Sequence, residues 1–340
     1  MFSLFRKKCI QAYSPALFEH ISNPYLVDLI LAFTLESEKI WNVKEIPEMD
    51  DSEPESKEQK IAAFDPRTRS WETFQIQNGF VLGSDIPLRT SNGFLFSSRD
   101  ELWAGEITQD SKVVLTSLSF IKNRKARKAC KASRASCGLW YTFLYADESV
   151  VQLFSNQKGN RMWKDNKWSS LAPSCSINFK HRAIHWEPMT STLLVCGGHQ
   201  TTECLFMREL SGKWESLGRL QVARANAAVC FYKVSQTYLI SGGSNGCRKK
   251  GLPSCLDSIE RFDSKTQQWA VLTEFKLPQA LCQHRMFIIN SQLFLLGGHD
   301  GVAVNDNMWM CGLTESGFPH GAWTLIATLP EDFDNDKFFV

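Results

Sequence analysis

The sequence predicts an all-β fold, a six-bladed β-propeller with four antiparallel strands per blade and a short helical segment at the N-terminus. Three observations lead there. Gly197-Gly198, Gly242-Gly243 and Gly297-Gly298 each close a short apolar run. Each pair is followed by a tryptophan: Trp214, Trp269 and Trp323. The pairs recur after 45 and 55 residues and the tryptophans after 55 and 54, a period that belongs to repeat architectures.

One repeat displays the physics. Tyr238-Leu239-Ile240-Ser241 precedes Gly242-Gly243 and suits a buried strand, because its side chains are aromatic, aliphatic or β-branched. The glycines permit positive φ and close backbone approach where that strand ends. A polar loop is expected next. The segment 258–269 then reads as strand, tight turn and strand, with Asp263, Ser264, Lys265 and Thr266 supplying the turn. Trp269 starts the last strand and offers a large apolar area to the neighbouring unit. Four short strands in about 40–50 residues make a propeller blade.

These residues identify a family resemblance. Leu194-Val195-Cys196-Gly197-Gly198 with Trp214, Leu239-Ile240-Ser241-Gly242-Gly243 with Phe262-Asp263 and Trp269, and Phe294-Leu295-Leu296-Gly297-Gly298 with Trp323 resemble kelch repeats. Ala63-Phe64-Asp65 through Trp71 looks like the second half of another kelch blade. Upstream the pattern decays, with Leu102-Trp103-Ala104-Gly105 in place of a glycine pair and Val151-Gln152-Leu153-Phe154 before Trp168 without one.

In chain order, residues 1–28 carry no repeat; Pro15 and the apolar spacing through Ile21 predict a helix. This stretch faintly resembles the tail of the BACK domain in kelch-like ubiquitin-ligase adaptors, and no BTB segment is read. The propeller is expected over 29–340. Leu29–Phe33 and 61–74 are assigned to blade 1, and later blades to about 86–120, 132–172, 180–218, 222–274 and 278–328. The tail 336–340 is expected to close the ring against blade 1, removing an open sheet edge. Between these lie an acidic loop, 44–60, with seven carboxylates and two prolines, and a basic loop, 122–134, with seven bases. The first reads as a solvated linker. The second reads as a solvated loop, with a nuclear-localisation or nucleic-acid patch as its alternative.

Composition fits a binding module. The 340 residues are 43% hydrophobic, with 23 Phe and 11 Trp for a large core, and a net charge of +2 gives no general attraction for nucleic acid or membrane. No apolar run reaches the roughly 18 residues that a membrane helix needs. Eleven cysteines without a CxxC pair, and no N-x-[ST] acceptor, point to a reducing compartment: the cytoplasm, with the nucleus as the second location.

Strand geometry puts the approach to each first strand and the loop after each second strand on one face. Arg89, Arg134, Arg182 and Arg224 stand at four such approaches, with Gln279 at the corresponding place in the last blade. His199, Ser244-Asn245 and His299-Asp300 follow the second strands. Guanidiniums suit bidentate capture of carboxylates or phosphates. In kelch-type ligase adaptors the corresponding arginines hold acidic peptides, so the resemblance implies the same here. The alternative is that these arginines bond strand-end carbonyls of neighbouring blades.

No catalytic residue, cofactor or metal is expected. Gly242-Gly243-Ser244-Asn245-Gly246 matches G-x-S-x-G but sits on the recurring diglycine, not on a strand-to-helix turn. His181 and His185 on one strand stand roughly 13 Å apart, too far for one zinc. Asp332, Asp334 and Asp336 lack the glycine and closing glutamate of a calcium loop. The copper site of galactose oxidase, which shares the kelch architecture, needs paired His and Tyr that are not found at matching positions. Two partner classes remain. The first is an acidic or phosphorylated protein segment, bound as the substrate-recognition part of a cullin-RING ubiquitin ligase. The second is actin, bound as a cytoskeletal scaffold.

Overall fold

Thr192–Cys196, Thr237–Ser241 and Leu293–Leu296 are buried at every residue, so each forms the interior strand of a sheet covered on both faces. The computed structural model describes residues 40–43, 59–66, 68–77, 88–90, 93–97, 101–107, 112–120, 140–144, 149–154, 161–165, 167–170, 179, 181–187, 190–210, 213–249, 252–329 and 338–339. These residues are all-β and contain no helix. The expected N-terminal helix, Leu29–Phe33, Arg134 and both charged loops except Gln59-Lys60 lie outside them.

The strands form five sheets. The first contains β1 (Ile40–Val43), β2 (Gln59–Asp65), β3 (Ser70–Gln77), β4 (Leu88–Thr90), β5 (Gly93–Ser97), β6 (Glu101–Ile107), β7 (Lys112–Phe120) and the C-terminal β25 (Phe338–Phe339). Its order is β25-β1-β2-β3-β7-β6-β5-β4, two antiparallel groups of four joined by parallel pairing of β3 with β7. Phe339 pairs with Trp41, and Phe338 with Asn42. The strand beside β2 is therefore Ile40–Val43, later in the chain than the expected Leu29–Phe33.

The second sheet holds β8 (Trp140–Leu144), β9 (Val150–Phe154), β10 (Arg161–Lys164) and β11 (Lys167–Ser170). The third holds β12 (Ala183–Glu187), β13 (Thr192–Cys196), β14 (Glu203–Arg208) and β15 (Glu215–Arg219). The fourth has five strands: β16 (Ala228–Tyr232), β17 (Thr237–Ser241), β18 (Ser244–Lys249), β19 (Leu252–Asp263) and β20 (Gln268–Leu281). The fifth holds β21 (Arg285–Ile289), β22 (Gln292–Leu296), β23 (Asn307–Leu313) and β24 (Pro319–Thr328).

Turn chemistry follows the sequence. Asp263 Oδ1 accepts from Lys265 N at 2.8 Å, and Gln267 N donates to Asp263 O at 2.8 Å with φ 58°. Asp65 and Arg69 repeat the backbone bond at 2.9 Å, with φ 54° at Arg69. The polar loop expected after Gly242-Gly243 is instead the hairpin β18–β19, with Ser244 opposite Cys255.

The sheets pack side by side, β12 next to β16 and β16 next to β21, with β15, β20 and β24 adjacent in the same order. Among the described residues, separate apolar clusters fill four interfaces. Val151, Leu153, Leu193 and Val195 join the second and third sheets; Leu194, Ile240, Phe262 and Trp269 join the third and fourth. Leu239, Ile259, Leu293 and Leu295 join the fourth and fifth. Phe64 packs with Phe294, Leu296 and Met308, so the fifth sheet meets the first.

The repeat tryptophans tie these interfaces with hydrogen bonds. Trp269 Nε1 donates to Leu217 O at 2.9 Å, Trp323 Nε1 to Lys276 O at 2.7 Å, and Trp71 Nε1 to Thr328 O at 3.1 Å. Each reaches the outer strand of the preceding sheet, and Trp71 reaches from the first sheet back to the last. Trp214 Nε1 is buried without a hydrogen-bond partner.

Candidate interaction face

Two of the diglycines bond the backbone that leads into the next sheet. Gly198 N donates to Arg224 O at 2.7 Å, and Gly243 N donates to Leu281 O at 2.8 Å. In both cases the acceptor precedes the first strand of the next sheet. At Gly197, φ is 65° and a Cβ would stand 2.6 Å from Arg224 O. At Gly243, φ is 85° and a Cβ would stand 2.8 Å from Ala225 O. Both requirements select glycine.

The approach to the first strand repeats a second device. His181, Asn226 and Gln283 all have left-handed backbone, with φ of 61°, 54° and 58°. Asn226 N donates to His181 O at 2.8 Å, and Gln283 N donates to Asn226 O at 2.9 Å. A backbone relay thus runs through three consecutive sheets. His181 Nδ1 lies 2.9 Å from Asn226 Oδ1, and its ring stacks edge-on against His199 at 4.4 Å.

This relay fixes which positions correspond. Arg182, Ala227 and His284 each follow the left-handed residue and precede the first strand. Arg224 lies two residues before Asn226, so Arg182 and Arg224 are not equivalent. Gln279 lies on β20, four residues before Gln283, so the last sheet carries His284 at the place of Arg182 and Leu281 at the place of Arg224, and Gln279 corresponds to neither.

The expected site residues divide accordingly. Arg224 is fully buried. Its Nε donates to Glu260 Oε1 at 2.9 Å, its Nη1 to Gly242 O and Ser258 O at 2.9 Å each, and its Nη2 to Ser258 Oγ at 2.8 Å. Glu260 also accepts from Gln221 N at 2.6 Å and Val222 N at 3.2 Å. Burial pushes the Arg224 guanidinium below its ordinary value, against the opposing pull of Glu260. Arg224 therefore bonds carbonyls of its own sheet, at Gly242 and Ser258, a structural role that differs from the expected bonding to a neighbouring blade.

Arg182 is mostly buried, with Nη1 3.7 Å from Glu203 Oε2. His199 is exposed, Asn245 half-buried and Ser244 buried. Gln279 and His299 are half-buried and Asp300 is exposed. Arg89 lies on β4, opposite Phe94. Asp300 Oδ1 accepts from Val302 N at 2.7 Å and Ala303 N at 2.8 Å, which holds its carboxyl below the ordinary range. That turn displays Val302 at 81% exposure and Val304 at 60%, an apolar pair on the loop after the diglycine.

Sequence reasoning missed a thiol-imidazole group on this face. Cys255 Sγ is 3.1 Å from Cys282 Sγ, and Cys282 Sγ is 3.3 Å from His299 Nε2 and 3.6 Å from its Nδ1. Burial pushes both thiols above their ordinary value. The three residues come from segments 17 to 44 residues apart, so no spacing motif marks them.

Nearby, His284 is buried with its Nε2 2.8 Å from Ser241 Oγ. Burial first, then the charges of Arg285 and Arg224, lower its pKa to about 3. It is a neutral packing group at physiological pH.

Residues 239–276 match the Kelch motif family. The chain carries a kelch motif. The match spans β17, the β18–β19 hairpin and the start of β20, with Gly242-Gly243 and Trp269 inside it. No curated protein matches the chain. Kelch repeats generally mediate protein–protein interactions, and the all-β sheets are consistent with a kelch β-propeller.

Proposed function

We propose that this chain is a six-bladed kelch β-propeller that binds an acidic or phosphorylated protein segment on the face carrying the post-diglycine loops, without catalysing a reaction. The two groups of four in the first sheet and the four further sheets support the count of six. The observation that carries the binding reading is the set of loop residues on that face. Exposed His199, half-buried Asn245 and His299, and Arg182 beside it supply cationic and polar groups, while Val302 and Val304 supply exposed apolar area. An exposed apolar pair rimmed by polar groups suits a protein partner. Arg224 is left out of the contact set because its guanidinium is consumed inside the protein.

The substrate-recognition part of a cullin-RING ubiquitin ligase is the cellular role this reading supports, with the cytoplasm as its location. Cys196, Cys204, Cys230, Cys255, Cys282 and Cys311 are free thiols, in keeping with a reducing compartment. Affinity purification with mass spectrometry tests the role, comparing the native chain with Arg182→Ala/His199→Ala. Recovery of cullin components and an acidic-motif protein, with only the latter lost in the variant, supports it. Dominant recovery of actin would replace it with the scaffold reading.

A further inference from the structure

Cys282 and His299 face each other across a two-residue bridge, with Cys282 N donating to His299 O at 2.9 Å and His299 N donating to Cys282 O at 3.0 Å. Ala225 and Ser244 occupy the same bridge in the preceding sheet. The fold therefore requires neither a thiol nor an imidazole at this position. The β18–β19 hairpin of the fourth sheet then brings Cys255 Sγ to 3.1 Å from Cys282 Sγ. The ligand atoms of all three residues lie within 4.8 Å of one another.

We propose that Cys255, Cys282 and His299 form a zinc site that clips the β18–β19 hairpin of the fourth sheet to the fifth sheet. Two thiolates and one imidazole are the soft and borderline donors that zinc prefers over oxygen-seeking cations. Zinc–sulfur distances of about 2.3 Å and zinc–nitrogen distances of about 2.0–2.1 Å put S and N about 3.5 Å apart in a tetrahedron, and two sulfurs about 3.8 Å apart. Cys282 Sγ and His299 Nδ1 already stand at 3.6 Å. The two sulfurs, at 3.1 Å, would part by about 0.7 Å. A disulfide would need them to close by about 1.1 Å, to roughly 2.0 Å.

The imidazole is oriented for this role. His299 Nε2 lies 2.8 Å from Gln283 Oε1, a carbonyl acceptor, so Nε2 carries the hydrogen and Nδ1 offers its lone pair. Gly301 N donates to that Nδ1 at 3.1 Å and would give up this bond to the metal. Gln283 is then the outer partner that fixes ring and tautomer. Three protein ligands leave the fourth position to water or to a side chain of a bound partner. Two thiol protons leave as zinc enters.

The test uses the full chain purified under reducing conditions. Elemental analysis should find about one zinc per chain. Cobalt(II) added to zinc-free protein should give thiolate-to-cobalt charge-transfer and tetrahedral ligand-field absorption. Cys255→Ser, a change at a half-buried thiol, should lose most of that charge-transfer intensity and the zinc-dependent rise in Tm, while circular dichroism shows the fold retained. Gln283→Ala should weaken zinc binding by about 10–100-fold without changing the ligand set. A native chain that gives no charge-transfer band overturns the site. So does a Cys255→Ser variant with the native spectrum. A chain recovered with a Cys255–Cys282 disulfide, and binding cobalt only nonspecifically after reduction, also overturns it.

Discussion

Arg224 and Glu260 form an ion pair at 2.9 Å with both side chains fully buried. The pair sits between strands of one sheet and the approach to its first strand, and both partners also bond backbone groups. Arg224 O in turn accepts from Gly198 N of the preceding sheet. One residue therefore links the ion pair, the turn and the diglycine contact.

Removing one partner leaves the other charge buried and uncompensated. Arg224→Met should destabilise the chain by about 3–5 kcal/mol in denaturant unfolding. Arg224→Met/Glu260→Met should cost clearly less than the sum of the two single changes, because neither charge is then stranded. Additive losses would mean that the pair does not couple.

Gly243→Val should destabilise by more than about 1 kcal/mol, since it adds positive-φ strain to a Cβ lying 2.8 Å from Ala225 O. Gly246→Ala is the control, because φ is also positive there but nothing lies within 4 Å of the added carbon. Thermal melts should rank Gly243→Val well below Gly246→Ala.

Trp269 is 2% exposed and bonds Leu217 O, so its two contributions can be separated. Trp269→Phe keeps most of the apolar area, loses the Nε1 bond and should cost about 1–2 kcal/mol. Trp269→Ala should cost about 3–5 kcal/mol. A Trp269→Phe variant as stable as the native chain would mean that the hydrogen bond contributes nothing, and equal losses in the two variants would mean that the buried ring area contributes nothing.

His284 supplies a pH dependence of known sign. Its folded pKa of about 3 lies below the ordinary 6.5, so the unfolded chain binds the proton first. Its neutral form is stabilising above about pH 6.5, and that contribution falls by about 1.4 kcal/mol per unit as the pH drops toward 3. Unfolding free energies measured over about pH 6 to 4 should fall less steeply in His284→Gln than in the native chain.

Legibility in the sequence tracked how local each determinant is. Gly197-Gly198, Gly242-Gly243, the Asp263–Gln267 turn and Trp269 impose their structure within a few residues, and their period exposed the repeated sheets. Leu29–Phe33 has the composition of a strand, yet Ile40–Val43 pairs with β2, because pairing is chosen across the chain. Arg182 and Arg224 look alike in sequence, since both precede an alanine-led strand. Only the left-handed residues His181 and Asn226 reveal that they stand at different positions. The burial of Arg224 depends on Glu260, 36 residues away, and the Cys255–Cys282–His299 group on three separate segments. No local pattern announces such meetings.

The most direct test of the binding face is a peptide-array measurement with the full chain. Acidic and phosphoserine peptides would be compared with charge-neutral counterparts, using the native chain and Arg182→Ala/His199→Ala. The expected result is preferential binding of acidic peptides by the native chain, weakening with salt and lost in the variant. No preference for acidic peptides, or the same preference in the variant, would contradict an acidic-segment partner on this face.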